Sequence, residues 1–161
     1  MDLGTAILGG TFSALCAMPF IATSINRKKR EKKLYHAIKT MAAKHKSNIT
    51  DYGTCGHLAI GMDSITQKLF FYKSSDENTI ENVLDMKQIM SCNIQQIRRP
   101  KKHKTDRTTA IDTLDLNFTP KESQSKSITW RFFNSEDDAL IAGELELIEQ
   151  WNQKINAAIT S

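Results

Sequence analysis

The sequence predicts an α+β protein: an N-terminal transmembrane helix continuing into a juxtamembrane helix, then an antiparallel β-sheet or partial barrel closed by a C-terminal amphipathic helix. Three observations predict it. Leu3 to Ile25 is an apolar run without a charged side chain, followed at once by Arg27, Lys28, Lys29, Arg30, Glu31, Lys32 and Lys33. From Leu58 onward, apolar residues recur with the period of two that half-buried strands require. The last stretch returns to helical spacing, with Leu140, Leu147, Ile148, Trp151, Ile155 and Ile159 along one side. The implied division is an anchor over 1–26, a basic juxtamembrane helix over 27–47 and a β domain over 48–161.

As a helix, the first run would be roughly 35 Å long against a hydrocarbon core of about 30 Å. Its positive charges follow the apolar stretch instead of preceding it, the reverse of a cleavable signal peptide. Lysine and arginine beside a span are held on the cytoplasmic side, so the expected orientation puts the N-terminus outside and the C-terminal domain in the cytoplasm. Within the run, Ala6, Gly10 and Ala14 form one small-residue row and Gly9, Ser13 and Ala17 the adjacent one. Such rows let helix backbones approach closely in lipid, so this face is expected to meet another membrane protein or a second copy of the chain.

The chain of 161 residues carries a formal charge of +4. Residues 27–33 contribute +5 and Arg98, Arg99, Lys101, Lys102 and Lys104 another +5, which leaves −6 for the remainder. An acidic body with two basic spots is unlike a nucleic-acid binder with a broad basic face, and no nucleic-acid partner is expected. Both spots, Arg27, Lys28, Lys29, Arg30, Lys32 and Lys33 in one and Arg98 to Lys104 in the other, suit anionic headgroups of membrane lipid or an acidic partner. Cys16, Cys55 and Cys92 are odd in number and lack Cys-x-x-Cys spacing, so neither a disulfide framework nor a zinc site is expected.

Taken in order, residues 27–46 lack glycine and proline and place Leu34, Ile38, Met41 and Ala42 on one helical stripe. Asn48 to Gly56, polar and glycine-containing, breaks that helix. Leu58, Ile60 and Met62 alternate with Ala59 and Gly61, Asp63 to Gln67 suits a hairpin loop, and Leu69 to Tyr72 forms a second strand. After the polar loop Ser74 to Asn78 come Val83 and Leu84, then Met90, Cys92 and Ile94 in a strand reaching about Ile97. Leu114, Leu116 and Phe118, and later Ile128, Trp130 and Phe132, alternate with polar residues as antiparallel strands with one wet face. Ser135 as N-cap, with Asp138 three residues on, predicts a last helix from about Glu136 to Ala158.

This order of short antiparallel strands and one terminal helix resembles the pleckstrin-homology-like (PH-like) fold. The whole chain resembles small prokaryotic single-pass membrane proteins carrying such a domain behind one helix. The resemblance covers about residues 56–159 and rests on element order, on Leu69 to Lys73 followed by Asp85-Met-Lys-Gln-Ile-Met90, and on the terminal helix. It implies a binding or scaffolding module. No headgroup-binding motif transfers, because the basic cluster lies in the loop at 98–107 and not in the first hairpin.

The expected function is therefore a membrane-anchored cytoplasmic interaction module, an accessory subunit of a membrane complex, with a peripheral anionic-lipid sensor as the alternative and an unrecognised enzyme as the third reading. No catalysis, cofactor, metal or small-molecule substrate is expected. Cys55-Gly-His57 places a thiol near an imidazole but lacks an orienting third group, and His36, His45, His57 and His103 show no ligand spacing. There is no glycine-rich phosphate loop.

Overall fold

The structure is a computed structural model that describes residues 25–75, 78–100, 109–122, 125–138, 141 and 143–160. It divides into two compact units, residues 1–33 and 34–161. In the first, the described residues 25–33 are helical, with Arg27, Lys28, Lys29, Arg30, Lys32 and Lys33 exposed and Arg27 paired to Glu31 at 3.0 Å.

The second unit begins inside helix α1, assigned over residues 25–44, and continues with four strands: β1 (Asp51–Cys55), β2 (Leu58–Asp63), β3 (Lys68–Ser74) and β4 (Thr79–Asp85). A short 3₁₀ turn, Met86–Gln88, leads to β5 (Ile89–Pro100), β6 (Thr109–Pro120), β7 (Ile128–Asn134) and helix α2 (Glu144–Thr160). The strands form two antiparallel sheets, ordered β1-β2-β3-β4 and β5-β6-β7.

The expected fold class is thereby corrected: the described residues form two antiparallel sheets and two α-helices, and among them no helix is long and apolar enough to cross a membrane. The run from Leu3 to residue 24, with Ala6, Gly9, Gly10, Ser13, Ala14 and Ala17, lies outside the described residues. The single-pass membrane localisation, with its outside N-terminus and membrane-bound helix, is withdrawn with it. The helix described next to that run, residues 25–44, carries a basic first part and an apolar stripe that belongs to the domain. Leu34, Ile38, Met41 and Ala42, on the helix expected both to continue the span and to pack on its own domain, are buried against Ala59 and Phe70 of β2 and β3, with Ile49 and Tyr72 at the margin. This apolar stripe is a layer of the domain.

β2 shows what that layer does. All six of its residues are buried, because Leu58, Ile60 and Met62 face the main core while Ala59 and Gly61 face α1. A Cβ at Gly61 would lie 3.1 Å from Ile49 Cδ1 and 3.2 Å from Ile38 Cδ1, so the small residues of β2 let the helix settle on the sheet. Behind α1, Asp63 ties the chain down: it accepts from the backbone N–H groups of Asn48 and Ile65 at 2.9 Å and of Thr66 at 3.2 Å. Burial opposes ionisation of Asp63, but the Thr66 hydroxyl and these N–H groups outweigh it and hold the carboxyl below the usual carboxylate range.

The main core lies between the sheets. Phe71 of β3 stacks on Trp130 and meets Phe132, both of β7, with ring centroids 5.3 Å apart in each case. Leu114, Leu116 and Phe118 of β6 and Ile148, Trp151 and Ile155 of α2 complete it. Helix α2 is seated at two points. Trp151 rests on Gly53 of β1, and Asn156 brackets β5, donating to the Cys92 carbonyl at 2.8 Å and accepting from the Cys92 N–H at 3.0 Å.

The last helix starts later than its expected cap. Ser135 donates to Asp112 at 2.6 Å, and Asp138 accepts from the Asn134 N–H at 3.0 Å and from buried Lys73 at 2.8 Å. Those residues close a turn after β7 instead of capping a helix, and Gly143 at φ +114° stands immediately before α2.

Candidate functional site

Where β4 runs into β5, the chain builds one side of a cleft. Asp85 caps the 3₁₀ turn by accepting from the Lys87 N–H at 3.0 Å, and Met86 is buried with its N–H on the Gln67 carbonyl at 2.9 Å. With its neighbours pinned on either side, Lys87 is held outward and exposed. The opposite side is the β6–β7 connection. Its register is set by the Lys121 N–H donating to the Gln88 carbonyl at 2.8 Å, and its bend by the Ser125 N–H on the Glu122 carbonyl at 3.1 Å.

Between the two lies a cleft of about 510 Å³. Leu84, Ile89, Pro120 and Ile128 give it an apolar floor, with Leu84 and Ile89 buried and Ile128 37 % exposed. Lys87, Lys121 and Lys126 stand on its rim beside Gln88, Glu122 and Ser125. Glu122 accepts from the Ser125 hydroxyl at 3.3 Å, and among the described residues none of the three lysines forms an ion pair. Chemically, an apolar floor can hold apolar groups by area, and ammonium groups around it favour negative charge.

The residues singled out in the sequence are placed elsewhere. Arg98 and Arg99 are exposed at the end of β5, where Arg98 donates to Gln96 at 3.3 Å and Arg99 pairs with Asp112 at 2.9 Å. Lys101, Lys102 and Lys104 lie outside the described residues. Cys55 ends β1, and Gly56, at φ +54°, and His57 form the two-residue turn to β2. Burial pushes the Cys92 thiol up to about 12, which keeps it protonated and inert. Among the described residues, no cluster of three or more histidine, cysteine or acidic side chains is arranged to hold a metal ion.

Sequence reasoning missed the cleft. Lys121-Glu-Ser-Gln-Ser-Lys126 reads as an ordinary solvated loop, and Lys87 stands alone in its segment. The sheets bring these lysines together, and the faint signal was a polar loop with a lysine at each end entering an apolar strand. No protein-family model, curated protein or solved structure matches the chain. Nothing in these comparisons identifies a PH-like domain or a membrane protein, so the resemblance drawn from element order assigns no role to any residue.

Proposed function

We propose that the protein is a non-catalytic interaction module whose cleft takes an acidic, partly apolar segment of a partner protein. The observation that carries this reading is the set of three lysines, Lys87, Lys121 and Lys126, without an ion pair among the described residues, around an apolar floor. Outside its two basic clusters the chain carries a net charge of −6, so three lysines against one glutamate reverse the local sign. Opposite charge steers a partner to the cleft and fixes its register, while the floor supplies the burial that holds it.

The test is fluorescence anisotropy of the full chain with an extended peptide of alternating valine and threonine followed by glutamates. Neutralising the rim by Lys87→Gln, Lys121→Gln and Lys126→Gln together should cost about 2 kcal/mol, or roughly 30-fold in affinity, at less than 1 kcal/mol per exposed pair. Binding should weaken with added salt. Arg98→Gln with Arg99→Gln should leave it unchanged. Equal binding by the triple variant would remove the reading, and preferential, rim-dependent binding of vesicles rich in anionic lipid would replace the peptide with a headgroup.

A further inference from the structure

Each sheet ends in two strand edges, and an open edge offers unpaired N–H and C=O groups to any extended chain. Three of the four edges carry a device that blunts them. β1 has only five residues and is met by α2, through Trp151 against Gly53 and the pair between Lys154 and Asp51. β5 is bracketed by Asn156 at Cys92 and breaks register at Ile89/Ser91 and Ile97/Arg98. The β6–β7 pair breaks register at Leu114/Asp115, where a bulge bends β7. β4 has none of these. Its seven residues, Thr-Ile-Glu-Asn-Val-Leu-Asp, contain no lysine or proline and pair with β3 in unbroken register. Among the described residues, no backbone group of β4 bonds to anything beyond β3. Ile80, opposite Lys73, and Val83, opposite Phe70, are exposed on its two faces at 43 % and 37 %.

We infer that β4 is the receiving edge of a β-addition site: the acidic segment pairs with it as a fifth strand of the β1–β4 sheet and carries its acidic end into the lysine rim. This rests on the function proposed above and adds the mode of recognition. Charge complementarity fixes the occupant. β4 runs through Leu84, part of the cleft floor, into Lys87 on its rim, so a strand laid along β4 comes to Lys87 at one end. Glu81 along the strand excludes acidic residues from its middle, and Ile80 and Val83 ask for apolar side chains beside them on both faces. The segment is therefore extended and apolar over about five to seven residues, with its carboxylates gathered at the Lys87 end.

The experiment uses the full chain and the same valine–threonine–glutamate peptide. Two further copies are N-methylated at alternate backbone amides of the valine–threonine stretch, one for each alternate set. One methylated copy should lose at least about tenfold in affinity, since two or three inter-strand hydrogen bonds go with its N–H groups, while the other keeps it. Hydrogen exchange of the unmethylated complex should slow amides within Thr79–Asp85 by about tenfold and leave β7 unchanged. If both methylated copies bind like the parent while the lysine variants weaken it, the β-addition is wrong and the cleft reading stands. Loss on methylation without dependence on the lysines would keep the β4 edge and remove the acidic rim. Protection on β5 or β7 instead of β4, or no peptide binding at all, overturns the inference.

Discussion

Gly53 offers the sharpest test of how α2 is seated. A Cβ at this position would lie 2.6 Å from Leu147 Cδ1 and 2.7 Å from Trp151 Nε1. Ordinary contact between such atoms is about 3.5 to 4.0 Å, so Gly53→Ala leaves a deficit of roughly 1 Å on two side chains of one helix. Trp151 is buried and Leu147 is partly buried against the same core, so neither has an easy alternative rotamer. Overpacking of this kind costs about 1 to 3 kcal/mol, against a gain of under 1 kcal/mol from replacing glycine in a strand. The expected net loss is about 2 kcal/mol, which lowers the midpoint of urea unfolding by about 1 M at a slope of about 2 kcal/mol/M. Gly61→Ala is the control. Its Cβ would meet the Cδ1 tips of Ile38 and Ile49, at 3.2 and 3.1 Å, and Ile49 Cγ2 at 3.4 Å, and these can give by a few tenths of an ångström. Its midpoint should move by less than half as much. Equal shifts for the two variants, or a stable Gly53→Ala, would refute the placement of Trp151 over β1.

Three further outcomes follow from named contacts. Asp63→Asn should cost about 2 to 3 kcal/mol at neutral pH, because a neutral amide replaces a carboxylate that accepts three backbone N–H groups. The folded-state value of Asp63 is lowered, so its contribution is fully present above the unfolded value near pH 3.9 and is lost as pH falls through the folded value. Urea midpoints of the parent and the variant should therefore converge below about pH 4. Cys92, with its thiol pushed up to about 12, should resist a thiol reagent at pH 8 in the native chain and react once urea unfolds it, as peptide mapping would show. Asn156→Leu should cost about 1 to 3 kcal/mol in the same unfolding assay, since it strips both partners from the Cys92 backbone.

The strands at Leu114 and Ile128 were legible because burial of one face writes a period of two into the sequence, whereas β2 and β3, covered on both faces, showed as the apolar stretches Leu58 to Met62 and Leu69 to Tyr72. β1 was hidden because Gly53, a poor strand residue, is there to receive an indole from the far end of the chain. β4 showed only Val83 and Leu84, since an edge strand exposed on both faces has little alternation to display. The stripe Leu34, Ile38, Met41 and Ala42 was legible as a helix packed on its own domain, but not as one lying on Ala59 and Phe70: a stripe records that a face is covered, not by which strands. The early start given to α2 failed for a related reason. Ser135 and Asp138 have the spacing of a capping box, and Asp112 and Lys73, distant in sequence, bind both. The cleft lysines carry no local pattern, and only the packing of two sheets brings Lys87 beside Lys121 and Lys126.

Seating of an acidic segment in the lysine-rimmed cleft can be followed residue by residue in an NMR titration of the full chain with the valine–threonine–glutamate peptide. Saturable shifts should concentrate at Lys87, Gln88, Lys121, Ser125, Lys126 and Ile128, which line the cleft, and should disappear in the triple lysine variant. Shifts confined to Arg98 and Arg99 or to residues 27–33, or shifts that survive neutralisation of the rim, would contradict it.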